Sequence, residues 1–209
     1  VGEKYKIPII EDNAHGLFGK YENQNLGTFG LFSAQSFHET KNISCGEGGS
    51  IFINNTNYYE RAEIIREKGT NRAQFNRGFI SKYSWKDIGS SYLPSDILAA
   101  ILYAKLENIE AIQAKRKLVW HNYYENLIDW AQSNKIKLPY VPKNCSQSYH
   151  MFYMLLPNNQ TRNKMLTHLN KKGFMAVFHY LPLHLSKMGR RLGWKKGDLP
   201  NTENASDCL

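Results

Sequence analysis

Cysteine is scarce in this sequence, and the three present, Cys45, Cys145 and Cys208, are odd in number and far apart. That pattern argues against a disulfide framework and against zinc ligation, and it suits a reducing, cytoplasmic setting. Long apolar runs are missing too: no stretch approaches the roughly twenty consecutive apolar residues that a membrane-spanning helix needs. The chain opens with no secretory leader pattern. Acidic residues are in deficit, 18 against 27 basic ones, for a formal charge of +9. The basic residues are spread over many segments, densest at Lys115-Arg116-Lys117 and at Arg190-Arg191 with Lys195-Lys196. Such dispersal suits an anionic small substrate as well as a nucleic acid, and a nucleic-acid-binding module has only charge and aromatics in its favour. Gly46-Glu47-Gly48-Gly49 is neither a Walker loop nor a dinucleotide-binding fingerprint. There is no Gly-x-Ser-x-Gly elbow. His150, His179 and His184 have no recognised metal-ligand spacing.

What is present describes a globular α/β chain. With 209 residues, 42% apolar and 13% aromatic, it can bury one large core or two smaller ones. Residues 7–11 (Ile-Pro-Ile-Ile-Glu) read as a buried strand of the kind found in parallel sheets covered on both faces. The strand ends on Asp12, and Asn13-Ala14-His15-Gly16 turns the chain. Ligands of open α/β sheets sit at the carboxyl ends of strands, which gives Asp12 and His15 a functional prior. A second strand, 31–37, leads into Ser36-Phe37-His38-Glu39-Thr40-Lys41-Asn42, and a third follows at 50–53. One strand delivering an aspartate and another delivering a lysine would suit a pyridoxal phosphate (PLP) enzyme. The lysine would bind the cofactor covalently and the carboxylate would keep the pyridine nitrogen protonated. Ser36 can donate to a phosphate, and His15, on the same turn as Asp12, can reach the ring. Gly48 and Gly49 let the backbone pass close by. Cys45, near Lys41, is read as a small residue in a tight turn.

Further along, Asn54-Asn55-Thr56 caps a helix to about Lys68, with Gly69 beyond its end. Residues 70–93, aromatic and Arg-rich without periodicity, form an ordered loop. Pro94-Ser95-Asp96 opens a helical pattern that continues to Trp130, with a break expected near 110–117 and a domain boundary placed at 112/113. The remainder reads as strand 149–156, helix 161–172 closed by Gly173, strand 174–180, a loop formed by Pro182, His184 and 186–200, and a helix start at 203–206.

Phe32–Gly49, with its Ser-Phe-His-x-x-Lys-Asn core, resembles the DegT/DnrJ/EryC/StrS sugar aminotransferases, as does Glu11-Asp12-Asn13-Ala14-His15-Gly16. Arg66-Glu67-Lys68-Gly69-Thr70-Asn71-Arg72, Lys82-Tyr83-Ser84-Trp85, Asp87–Tyr92 and Met175–Tyr180 resemble a narrower branch. That branch acts on TDP-4-keto-6-deoxyglucose and serves surface-polysaccharide biosynthesis, including enterobacterial common antigen. The resemblance implies a fold-type-I, PLP-dependent aminotransferase that uses L-glutamate and works as a cytoplasmic homodimer with sites at the subunit interface. Carried over by position, Lys41 is the Schiff-base lysine, Asp12 pairs with the pyridinium nitrogen, Ser36 binds phosphate and His15 sits at the ring. Ser91 occupies the place of an asparagine that reaches the neighbouring subunit's phosphate. Tyr83, Tyr180 and His184 fall near the sugar nucleotide. Relatives are much longer, so 1–112 is expected to be part of the large PLP-binding domain and 113–209 an incomplete small α+β domain. The competing expectation is a truncated, non-catalytic remnant that acts by dimerising or binding a partner.

Overall fold

A computed structural model describes residues 1–209. In chain order the elements are α1 (Gly2–Tyr5), β1 (Ile10–Asp12), β2 (Lys20–Tyr21), β3 (Gln24–Asn25), β4 (Phe32–Ser36), β5 (Gly49–Ile53), α2 (Tyr59–Arg66), α3 (Arg72–Asn76), α4 (Asp96–Glu107), α5 (Ile109–Ser133), β6 (Cys145–Ser146), α6 (Asn159–Lys171), α7 (Lys187–Arg191) and α8 (Pro200–Cys208). They fall into two compact units, Val1–Arg116 with Val141–His150, and Lys117–Tyr140 with Met151–Leu209. The division therefore lies within α5, slightly beyond the expected 112/113, and residues 141–150 belong to the first unit.

In the first unit β1 pairs in parallel with β4, Ile10 opposite Phe32, Glu11 opposite Ser33 and Asp12 opposite Ala34. β4 pairs antiparallel with β5, so the sheet is mixed and three-stranded, in the order β1-β4-β5. The expected doubly covered strand at 7–11 is corrected on two counts. Only its last part enters the ladder, and Ile7, Ile9 and Ile10 are 61%, 49% and 70% exposed. β1 is an edge strand whose β-branched residues favour extended backbone without a layer over them. Because side chains alternate across a strand, Ile10, Asp12, Ala34, Ser36 and Ile51 share the open face.

The opposite face is polar and closed. Ser33, Gln35 and Asn13 are buried, and buried polar groups need partners. Asn13 Nδ2 donates to Gln35 Oε1 (2.8 Å) and to the Leu26 carbonyl (3.1 Å), while Gln35 Nε2 donates to Ser33 Oγ (2.9 Å). Glu11 accepts the backbone N–H groups of Gly27 (2.8 Å), Phe29 (2.7 Å) and Gly30 (2.7 Å), which ties the 26–30 turn to β1. Asn54 Nδ2 completes the closure by donating to the Gly27 and Gly30 carbonyls.

The apolar core of this unit gathers Phe37, Ile43 and Cys45 against Leu17, Phe18, Leu98, Leu102, Ile109 and Ile112. α4 starts where Ser95 accepts the Leu98 N–H. It ends at Asn108, earlier than the expected break, as the backbone there leaves helical geometry (φ −103°, ψ 19°) and the side chain bonds the Ala104 carbonyl. The 70–93 loop is ordered and contains α3. Arg77 forms a bidentate pair with Glu63 (2.6 Å each), Arg61 pairs with Asp87, and Asn71 Oδ1 accepts the Ser84 N–H. Gly69, at φ 74°, sits where a Cβ would collide with the Asp87 carbonyl.

The second unit packs Ala131, Ile136 and Leu156 with Leu138 and Met154. α6 is capped by Asn158 and followed by Gly173 at φ 85°, as its pattern predicts. The strands expected at 149–156 and 174–180 are not formed. Only Lys137 and Leu155 bridge, and Phe174 N–H turns back to the Leu169 carbonyl. Both segments carry strand-like composition, but a ladder also needs a neighbouring strand to bond. The expected 186–200 loop contains α7, begun by Ser186 accepting the Gly189 N–H.

Removing the Glu11 carboxylate orphans three backbone donors at once. Glu11→Ala is expected to lower stability by about 2 kcal/mol, the scale of hydrogen bonds to a charged group, and to speed amide exchange at 27–30. Unchanged exchange at those amides in a chemical-denaturation and hydrogen-exchange comparison would contradict this account of the turn.

Candidate functional site

The site is built at the carboxyl edge of β1 and β4. Their parallel pairing brings both strand ends to the same edge of the sheet, where α/β folds place ligands. Asp12 lies beside Ala34, and Ser36 follows two residues on along the same face. Asp12 is exposed, and its Oδ1 accepts the Ala14 N–H (3.1 Å), which turns the chain toward His15. Past β4, the Lys41 N–H donates to the His38 carbonyl (2.9 Å) and Ser36 Oγ accepts the His38 N–H (3.4 Å). Buried Phe37, Ile43 and Cys45 anchor both sides of this turn, leaving Lys41 half-buried between them. Lys41, Ser36 and His15 line one narrow cleft, together with Ala14, Leu17, Asn42, Ile43 and His150.

The cleft's second wall comes from residues 148–150, more than a hundred positions along the chain. Asn42 Nδ2 donates to the Ser148 carbonyl (2.8 Å), and Asn42 Oδ1 lies 2.7 Å from His150 Nδ1. Ser148 Oγ donates to the His15 carbonyl (3.0 Å). The His15 and His150 rings lie 4.4 Å apart, tilted by 52°. Arg116 donates from Nε to the Tyr149 carbonyl (3.2 Å) and from Nη2 to the His150 carbonyl (2.8 Å). Burial holds its guanidinium pKa below the ordinary value. The sequence favours a hydrogen-bonded or substrate-facing His150 over a metal ligand, but gives Asn42, Ser148 and Arg116 no role of their own in a site. No spacing rule connects residues so far apart; the one local hint was Asn42 directly after Lys41.

Other expected site residues lie outside this cleft. Ser91 is exposed and bridges Glu67. Tyr83 packs on Phe75 (5.6 Å) with the Arg72 guanidinium 5.7 Å from its ring. Gly48 makes room for Cys45 Sγ and Gly49 for the Gln35 carbonyl, so their missing side chains serve packing within the turn and sheet. In the second unit Tyr180 is exposed, its carbonyl accepting from Ser206 Oγ (2.6 Å). His184 is buried, with Nε2 2.9 Å from Glu203 Oε1. Its ring is thus an internal anchor for this unit rather than an exposed contact.

Solved structures of fold-type-I, PLP-dependent sugar aminotransferases share this fold. Spr1654 from Streptococcus pneumoniae, solved in PLP and PMP forms, matches with TM-scores of 0.81 and 0.83 at 21% and 23% identity, over 97% of this chain and 51% of that one. A DegT/DnrJ/EryC1/StrS aminotransferase from Brucella abortus matches with a TM-score of 0.80 at 26% identity, over 99% and 52%. The uncharacterized protein MJ1066 of Methanocaldococcus jannaschii is 30% identical over 214 residues, 97% of this chain and 54% of its own length. The sequence profile of the DegT/DnrJ/EryC1/StrS aminotransferase family matches residues 1–209, and the chain belongs to that family of PLP-dependent sugar aminotransferases. It spans about half the length of these relatives. No helix is long and apolar enough to cross a membrane.

The hydrogen bond from His184, followed by that from the Gly197 N–H, holds the Glu203 carboxyl below its usual 4.5. A depressed carboxyl pKa contributes stability that is complete above the unfolded value and is lost as pH falls through the folded one. Thermal melting of the wild type is therefore expected to drop more steeply with acidification below 4.5 than that of Glu203→Gln. Parallel acid profiles for the two proteins would show that the pair does not contribute.

Proposed function

We propose that this chain supplies the lysine-bearing part of a PLP-dependent aminotransferase that moves an amino group from L-glutamate to the 4-keto carbon of TDP-4-keto-6-deoxyglucose. The observation that carries this reading is the convergence of Lys41, Ser36 and His15 on one cleft at the sheet edge that Asp12 shares. The donor set fits the cofactor: a primary amine, a carboxylate on the same edge, a hydroxyl donor at a strand end and an aromatic ring beside them. When bound, PLP supplies an electron sink for the carbon that loses its proton.

The rest of the chemistry belongs to the chain. Lys41 Nζ would hold the cofactor covalently and, when free as the amine, would carry the proton away from the reacting carbon and return it. The Asp12 carboxylate would hold a proton on the ring nitrogen, Ser36 Oγ would donate to the phosphate and His15 would lie at the ring. Ser91, on the ordered 70–93 loop, serves the site of a partner subunit in a homodimer. Exposed apolar side chains near it, Trp85, Ile88 and Tyr92 (78%, 81% and 68%), support burial of this loop in such an interface. Tyr83, Tyr180 and His184 are the side chains that the resemblance assigns to binding the sugar nucleotide.

The narrower substrate assignment rests on the segments 66–72, 82–92 and 175–180. It places the enzyme in cytoplasmic synthesis of a surface polysaccharide, such as lipopolysaccharide or enterobacterial common antigen.

Borohydride reduction of the chain with saturating PLP, followed by peptide mapping, is expected to label Lys41 and to lose that label in Lys41→Ala. A label spread over the exposed lysines, or one that survives the substitution, would contradict the assignment.

A further inference from the structure

The hydrogen bonds around Asn42 determine which nitrogen of His150 carries the proton. The Ser148 carbonyl can only accept, so the Asn42 atom 2.8 Å from it is the amide nitrogen. The other amide atom, Oδ1, can only accept, and it lies 2.7 Å from His150 Nδ1. His150 Nδ1 is therefore the donor of that contact, and in the neutral ring Nε2 is the unprotonated, basic nitrogen.

The ring has little freedom to escape this choice. Arg116 clamps the carbonyls of Tyr149 and His150 at 3.2 and 2.8 Å, and the His15 ring lies against His150 at 4.4 Å. Tyr149 adopts φ 52°, a left-handed conformation that a bulky residue keeps only when its surroundings impose it. Backbone strain, a two-carbonyl clamp and a bidentate asparagine thus converge on one imidazole. That imidazole lines the same cleft as Lys41.

We infer that His150 is a further residue of the Lys41 site, held in the Nδ1–H form so that Nε2 accepts a hydrogen bond in the cleft, and we assign the Lys41 ammonium as its donor. Asn42 is its positioning residue. It touches no reacting atom and acts by fixing the tautomer and orientation of His150. This inference rests on the function proposed above only for its place in catalysis; the tautomer follows from the hydrogen bonds alone.

The test is nitrogen NMR of histidine-labelled protein, held above the ordinary imidazole pKa of about 6.5. His150 is assigned through its backbone connectivity, so the first reading needs no variant. The expected spectrum has a protonated, pyrrole-type Nδ1 and an unprotonated, pyridine-type Nε2. Asn42→Ala is expected to lose this preference and bring in the Nε2–H form. Lys41→Ala is expected to shift the Nε2 resonance while leaving Nδ1 protonated. An Nε2–H form in the wild type overturns the tautomer assignment. An Nε2 resonance unmoved by Lys41→Ala overturns the link to Lys41. Neither reading uses the cofactor, so a failed PLP label at Lys41 and a failed His150 assignment are separate outcomes.

Discussion

Register between β1 and β4 decides which side chains stand at the edge of the sheet, because alternate residues of a strand face opposite ways. With Asp12 opposite Ala34, the aspartate and Ser36 share the open face, and Glu11 points to the closed one. A slip of one residue would exchange them, sending Asp12 inward and Glu11 outward. Apolar burial does little to prevent that slip, since Ile10 and Ile51 lie on the open face and are exposed. Polar pairing resists it instead. Glu11 holds three backbone donors of the 26–30 turn, and Asn13 bonds Gln35 across the adjacent strand. The hydrogen bonds that close one face of the sheet therefore also present Asp12 on the other.

The lysine is placed by a different mechanism. Its turn is pinned from beneath by Phe37, Ile43 and Cys45, whose packing against α4 and the start of α5 ties the turn to the core. From the side, Asn42 joins the turn to Ser148 and His150, Ser148 ties that segment to His15, and Arg116 holds the Tyr149 and His150 carbonyls. Each such bond contributes about 1 kcal/mol net, while an unmade buried one costs more. A turn held both ways keeps the Lys41 backbone in one place at the cleft.

Much of this was legible in residues 7–69. Strand-like runs, Gly/Asn punctuation and the Lys41 turn lie close together in sequence, and local pattern reports local structure well. The start of α4 near 94–96 and the end of α6 before Gly173 were legible for the same reason, though Ser95, not Pro94, sets the first turn. Legibility failed where a distant partner decides the outcome. Residues 149–156 and 174–180 have strand composition but no ladder to join, and the Ile run before Asp12 has no layer above it. The His150 wall depends on contacts spanning 106 and 108 positions. His184 looked like a loop residue, until Glu203 on α8 drew it inside. That Asp12, Ser36 and Lys41 stand near one strand edge was readable from their local pattern, whereas the residues that hold the cleft in shape were not.

The central claim is that one strand edge brings Lys41 and Asp12 to opposite duties on a single cofactor. A crystal structure of the chain grown with PLP tests it most directly. The account predicts continuous density from Lys41 Nζ to the cofactor and the Asp12 carboxylate within hydrogen-bond distance of the ring nitrogen. PLP joined to another lysine, or bound at Lys41 with its ring nitrogen turned away from Asp12, would contradict it.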